Sequence, residues 1–220
     1  MDIAESHVFE KPDIIILSHP RSGTHFLEGS LGSHPKVHMR RACLLQYQRD
    51  SESKEPQSRK RFKNKPGHIN TAIVMYKQVE LFEELCGPLS GVKIVHLLRD
   101  AEFVARSCVQ YAANKLVYGG KVKAHYRLDE TPPANVPIET GDLEKRKAGI
   151  ERIQSWHLDL LKSHPQVFTV KYEDLTGNKQ VTILPEQFSR NILAFMGLEY
   201  QPLVVPFQKT GYESEADGQD

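Results

Sequence analysis

Cysteine is scarce in this chain. Three occur in 220 residues, Cys43, Cys86 and Cys108, and no two have the spacing of a metal knuckle or a paired framework, so they read as reduced structural thiols. An excess of either charge is also missing: 29 Lys and Arg stand against 28 Asp and Glu, a formal net charge of +1. So balanced a chain has no global field to draw it to nucleic acid. No apolar run approaches the ~20 residues of a membrane span, and the polar opening MDIAESHVFEKPD is not built like a signal peptide. There is no internal repeat, no His/Cys/carboxylate cluster with metal-site spacing, and no G-x-x-x-x-G-K-[ST] nucleotide loop. The expectation is a cytoplasmic, globular chain folded as a single domain over residues 1–220.

What is present alternates. Asp13 to Ser18 is a short β-rich run without polar interruption, the pattern of a strand buried on both faces of a parallel sheet. Pro20 ends it, having no N–H for the ladder, and Leu27 and Leu31, four apart, form the inner stripe of a helix. A polar stretch from Arg40 to Pro66 leads to a second strand, TAIVMYK, and a short helix, QVELFEELC, closed by Gly87-Pro88. VKIVHLL is a third strand and runs into a helix from about Ala101 to Tyr118. The Pro-containing segment Gly119 to Gly141 reads as a long loop. A helix from about Asp142 to Ser163, a fourth strand QVFTVKY, and a last helix opened by Pro185 and closed by Gly197 complete the chain. Strands alternating with helices predict an α/β fold, a three-layer α/β/α sandwich around a central parallel sheet. Ligands of such sheets sit at the carboxyl ends of the strands.

Two of those strand ends carry anion chemistry. After the first comes Arg21-Ser22-Gly23-Thr24, which offers a cation, two hydroxyls, backbone N–H groups and a glycine that permits close approach. The helix behind it adds its unpaired N–H groups and the positive end of its dipole. Such a turn suits a phosphate or a sulfate, although taken alone it is also an ordinary β-α turn with a good cap. At the end of the third strand stands Arg99, with Ser107 eight residues on in the following helix. A second cation and hydroxyl beside the first turn suggest a ligand with two separate anionic groups; the plainer alternative is an Arg99-Asp100 ion pair at a helix start.

The motifs together resemble those of the sulfotransferases that use 3′-phosphoadenosine 5′-phosphosulfate (PAPS). Pro20-Arg21-Ser22-Gly23-Thr24 with the later His34-Pro35 is similar to that family's 5′-phosphosulfate loop. Arg99, Asp100, Val104 and Ser107 look like its 3′-phosphate motif, and Tyr172-Glu173-Asp174-Leu175 like its YEDL segment. The pieces occur in the family's order and span about Asp13 to Leu198. The resemblance implies a P-loop-NTPase-like sulfotransferase fold with PAPS as donor and 3′,5′-phosphoadenosine (PAP) as product. By the same likeness Ser22, Gly23 and Thr24 donate to the phosphosulfate, Arg21 meets the bridging oxygen, and His25 contacts the phosphate. Phe26 and Tyr172 lie against the adenine, while Lys209 and Gly211, in FQKTGYE, finish the 3′-phosphate pocket. Lys77 takes the place of a Lys that reaches the sulfuryl oxygens or the leaving group.

The implied reaction is in-line sulfuryl transfer to a hydroxyl or amine of a small-molecule acceptor, such as a natural product, carbohydrate or glycolipid precursor. No metal is called for. The residues after His34-Pro35 read KVHMRRACLLQ and contain no carboxylate, so no general base stands out; His19, His25, Glu28 and Glu80 are all candidates. The cation-rich segment Lys36 to Lys65 reads as a solvated loop or as a means of capturing an anionic acceptor, and its two aromatics, Tyr47 and Phe62, are too few for nucleic acid. The acidic tail YESEADGQD is expected to fray. Two other readings remain open: a nucleotide-dependent kinase, against which the missing P-loop Lys counts, and a non-catalytic phosphonucleotide-binding module.

Overall fold

The computed structural model describes residues 10–40, 44, 63–119, 122–123, 126–127, 129–138, 141–177 and 180–207. Five strands form one wholly parallel sheet: β1 (Ile14–Ser18), β2 (Val37–Arg40), β3 (Ile69–Met75), β4 (Lys93–Leu98) and β5 (Val167–Lys171), in the order β2-β3-β1-β4-β5. The helices whose bounds fall among the described residues are α1 (Thr24–Leu31), α2 (Val79–Cys86), α3 (Ala101–Tyr118), α4 (Gly141–Leu161), α5 (Tyr172–Thr176) and α6 (Glu186–Met196). Single 3₁₀ turns, Tyr76–Gln78 and Leu89–Gly91, precede α2 and β4.

The apolar run of β1 explains the layers. Ile14 and Ile16 point into one core with Leu27 and Leu31 of α1 and Ile192 and Leu193 of α6. Ile15 and Leu17 point into another, with Phe82 of α2 and Leu161 of α4. This is the period of two expected of a strand, and both faces are covered, so no polar alternation appears in the sequence. All four side chains are at most 1% exposed, and each contributes about 1.5–3 kcal/mol relative to an exposed one. Helix α3 packs on α4 through a third, smaller core of Ala101, Val104, Ala105, Leu143 and Ile150.

The expected α/β sandwich is what the structure shows, with one strand more than the sequence predicts. The missed strand is β2, which lies at the sheet edge and pairs Val37–Arg40 with Ile69–Ala72 of β3. It is four residues long, and its VHMR pattern has only one β-branched residue to mark it. Tyr172, read as the end of the fourth strand, instead opens the short helix α5, which the sequence did not mark, and other boundaries shift as well. The strand read as TAIVMYK runs over Ile69–Met75, and Pro185 is the N-cap of α6 rather than its first residue.

Register brings the loops to one edge. Ser18 stands opposite both Met75 and Leu97, and Leu98 opposite Lys171. The chain therefore leaves β1, β3, β4 and β5 side by side, with Arg21, Lys77, Arg99 and Tyr172 all just beyond.

Candidate active site

The turn after β1 has two residues in the left-handed region. Gly23, at φ 88°, is the N-cap of α1, and Arg21, at φ 72°, is the one non-glycine residue with positive φ among the described residues. A side chain in that region costs about 1–3 kcal/mol and persists where its surroundings hold it. Here they do so at both ends. The Arg21 Nε–H donates to Ser107 Oγ at 3.1 Å, and the Arg21 carbonyl accepts from Arg99 Nη1 at 3.0 Å. The two motifs read from the sequence are thus in contact, although 86 residues separate Arg21 from Ser107.

Between the left-handed residues Ser22 is fully buried, and its Oγ has no hydrogen-bond partner among the described residues. A buried hydroxyl left so costs about 1–3 kcal/mol, which a ligand oxygen would return. Thr24 Oγ1 pairs with Ser18 Oγ at 2.7 Å, tying the helix start to the strand end. No side chain caps the N-terminus of α1, so its first N–H groups remain for an incoming acceptor.

The YEDL segment closes the other side. Tyr172 opens α5 with its ring on Gly23: a Cβ at that glycine would come 2.2 Å from Tyr172 Cδ2. Phe26 meets the same ring edge-on at 5.5 Å between centroids, and the Arg99 guanidinium lies 4.6 Å over it. Arg99 is held further by Gln154, whose amide donates to its carbonyl, while its buried Nε has no partner among the described residues. Asp100 does not pair with Arg99 in the way the plainer reading required. Its carboxylate instead caps α3 by accepting from the N–H groups of Glu102 and Phe103, and its own N–H donates to Glu173 Oε1. Burial holds both Arg21 and Arg99 below the usual arginine range, and the charge of Arg99 lowers Arg21 further. Arginine nonetheless stays charged in proteins, so the site is a fixed, partly desolvated pair of cations that disfavour each other until an anion arrives.

Lys77 is exposed on the turn between β3 and α2, on the opposite flank of β1 from Arg99. His19 sits between them. Burial lowers its pKa; the hydrogen bond to the Pro20 carbonyl opposes this, and the charges of Arg146 and Lys77 push further down. Beneath lies a buried group that sequence reasoning missed. Tyr76 Oη pairs with His96 Nε2 at 2.7 Å, and the His157 ring stacks on Tyr76 at 3.8 Å. Burial pushes His96 down to about 4 and the Tyr76 phenol up. A histidine inside an apolar strand carries no spacing signal that separates such a cluster from ordinary core.

His25 pairs through Nδ1 with Glu28 Oε2 at 2.7 Å. Lys209 and Gly211 lie outside the described residues. No group of three or more His, Cys, Asp or Glu side chains capable of holding a metal occurs among the described residues, and none of the described helices is long and apolar enough to cross a membrane.

Solved structures share this architecture. A sulfotransferase from Alicyclobacillus acidocaldarius superposes with a TM-score of 0.54, covering 94% of this chain and 87% of its own at 16% identity. The fold is that of the sulfotransferases. Mouse SULT7A1 complexed with PAP matches over 90% of this chain and 66% of its own, with a TM-score of 0.50 and 16% identity. The sulfotransferase domain of the curacin biosynthetic pathway matches over 87% and 75%, at 0.50 and 17%. No protein-family model and no curated protein matches the sequence. In this fold the turn after β1, the β4–α3 junction and the β5–α5 junction meet at the carboxyl edge of the sheet, where Arg99 touches both the Arg21 carbonyl and the Tyr172 ring.

Proposed function

We propose that the protein is a PAPS-dependent sulfotransferase acting in the cytoplasm on a hydroxyl or amine of a small-molecule acceptor. The observation that carries this reading is the contact of Arg21 with Ser107 and of Arg99 with the Arg21 carbonyl. It brings together two turns that each carry a cation and a hydroxyl, as a nucleotide with both a 5′ and a 3′ anionic group would require.

The donor set fits such a nucleotide. Ser22, with its unpartnered buried hydroxyl, Gly23, Thr24 and the N-terminus of α1 would hold the 5′-phosphosulfate. Arg99 and Ser107 would hold the 3′-phosphate, and Phe26 and Tyr172, already edge to face, would flank the adenine. Lys209 and Gly211 are assigned to the 3′-phosphate by resemblance alone. When bound, PAPS supplies an activated sulfuryl group on a good leaving phosphate.

By analogy with phosphoryl transfer the transition state is loose, so the protein acts by position and charge. Arg21 would meet the charge that grows on the bridging oxygen, and Lys77, on the other flank of β1, would offset charge on the sulfuryl oxygens. Incubation with labelled PAPS and a panel of hydroxyl and amine acceptors, read as the mass gain of one sulfuryl group, tests the reading. Transfer from PAPS with none from ATP and Mg²⁺ supports it. PAP binding without turnover of PAPS would leave a binding module instead.

A further inference from the structure

One charged residue interrupts the inner face of α4. Leu143, Arg146, Ile150, Ile153, His157 and Leu161 follow one another at intervals of three or four, so they share a helix face. All but Arg146 pack inward, against α3, the sheet or the Tyr76 ring. Arg146 is exposed. A position that faces inward and yet meets solvent overhangs a recess, not core.

The floor of that recess is made of rings. Half-buried His19 meets Tyr76 edge-on at 6.3 Å, and Tyr76 stacks on His157 at 3.8 Å. Burial lowers the pKa of both histidines and raises that of the Tyr76 phenol, so the floor is uncharged at neutral pH. Cations flank it. Lys77 follows Tyr76 in the turn after β3, and Arg146 stands on the β4 side, where it donates to the thiol of Cys108 in α3. Both of their charges act on His19 between them. The next residue in α4, Lys147, pairs with Glu102 at 3.5 Å, and Arg106 pairs with the same carboxylate at 3.3 Å. Among the described residues no carboxylate pairs with Arg146 or Lys77.

We propose that this recess holds the body of the acceptor, and that Arg146 selects a hydroxyl compound that carries a carboxylate. The inference rests on the sulfotransferase reading and narrows its acceptor. His19 stands two residues before Arg21, so a ligand on the ring floor adjoins the turn assigned to the phosphosulfate. Lys77 is assigned to the sulfuryl oxygens, which leaves Arg146 for the acceptor, and one cation matches a carboxylate better than a doubly charged phosphate. The rings suit a flat apolar body. An ammonium would lose water here without gaining a partner and would meet two like charges.

Three phenols that differ at the far end of the side chain test this: 3-(4-hydroxyphenyl)propanoate, its methyl ester and tyramine. Release of PAP from PAPS gives kcat/KM for each. The propanoate should exceed both others by about 10-fold or more, the lower end for a hydrogen bond to a charged group. Arg146→Ala should bring it to within about 2-fold of the ester, and Arg146→Glu should put tyramine first. In Arg146→Ala the His19 ring, followed by NMR, should titrate at higher pH than in the wild type, because a charge that holds it down is gone. Equal use of the three phenols, a preference for tyramine, or no use of the propanoate by protein that binds PAP would overturn the inference. Loss of PAP affinity in Arg146→Ala would overturn it too, making Arg146 a nucleotide contact. Wild-type protein that binds no PAP and leaves PAPS intact would instead sink the sulfotransferase reading, and the acceptor with it.

Discussion

Replacing Gly23 by alanine perturbs two quantities that can be measured apart. The first is conformational: at φ 88° a side chain costs about 1–2 kcal/mol. The second is steric. The new Cβ would fall 2.2 and 2.3 Å from two carbons of the Tyr172 ring, where carbons prefer about 3.5–4.0 Å. The ring must retreat by roughly 1.3 Å or more to reach that range. It then leaves the Arg99 guanidinium, a contact worth about 0.5–2 kcal/mol, and the edge of Phe26, worth about 0.5–1.5 kcal/mol.

The sum is about 2–5 kcal/mol, or roughly 4–20 °C in Tm at ~2–4 °C per kcal/mol. Gly197 is the control. It sits at φ 79° after α6, and a Cβ there meets nothing within 4 Å, so Gly197→Ala should show the conformational part alone, roughly 2–8 °C. Thermal unfolding with and without PAP is the assay. At a hundredfold excess over its dissociation constant PAP adds about 2.7 kcal/mol, a shift that Gly197→Ala should keep and Gly23→Ala should lose. A Gly23→Ala protein as stable as Gly197→Ala, with the PAP shift intact, would refute the packing of Tyr172 on the loop.

Three further outcomes follow from the same geometry. Arg99→Ala should weaken PAP by about 10–150-fold, the worth of a charged hydrogen bond, and adenosine 5′-phosphosulfate, which lacks the 3′-phosphate, far less; titration of both ligands checks this. Arg21→Ala should lower kcat by about 10²–10³-fold, with a smaller loss of donor affinity, and Arg21→Lys should restore part of the rate; steady-state kinetics beside PAP titration separates the two effects. His96 has its pKa lowered from 6.5 to about 4 by burial, so the unfolded chain takes up the proton first. Its contribution is full above pH 6.5, falls by about 3 kcal/mol as pH drops from 6.5 towards 4, and changes no further below that; urea unfolding across this range should show the limb, and His96→Asn should abolish it.

Much of this was legible in the sequence where one residue type has one physical use. The run IIILS reads as a doubly buried strand because both faces of β1 are covered. Arg99 and Ser107 read as a pair because their spacing joins a strand end to the second turn of a helix. Edge strand β2 was not legible, since VHMR is short and its identity depends on β3, some thirty residues on. The contact of Arg21 with Ser107 was illegible for the same reason: it is fixed by register, through Ser18 opposite Leu97, and not by local pattern.

The central claim is that the Arg21 turn and the Arg99–Ser107 pair form one site for a nucleotide phosphorylated at both 3′ and 5′ positions. Calorimetric titration of the wild-type protein with PAP, run beside ATP with Mg²⁺, tests it most directly. The account predicts saturable one-site binding of PAP, lost in an Arg99→Ala, Ser107→Ala double variant, and far weaker binding of ATP with Mg²⁺. Binding of ATP with Mg²⁺ as tight as that of PAP, or PAP binding that the double variant leaves unchanged, would contradict it.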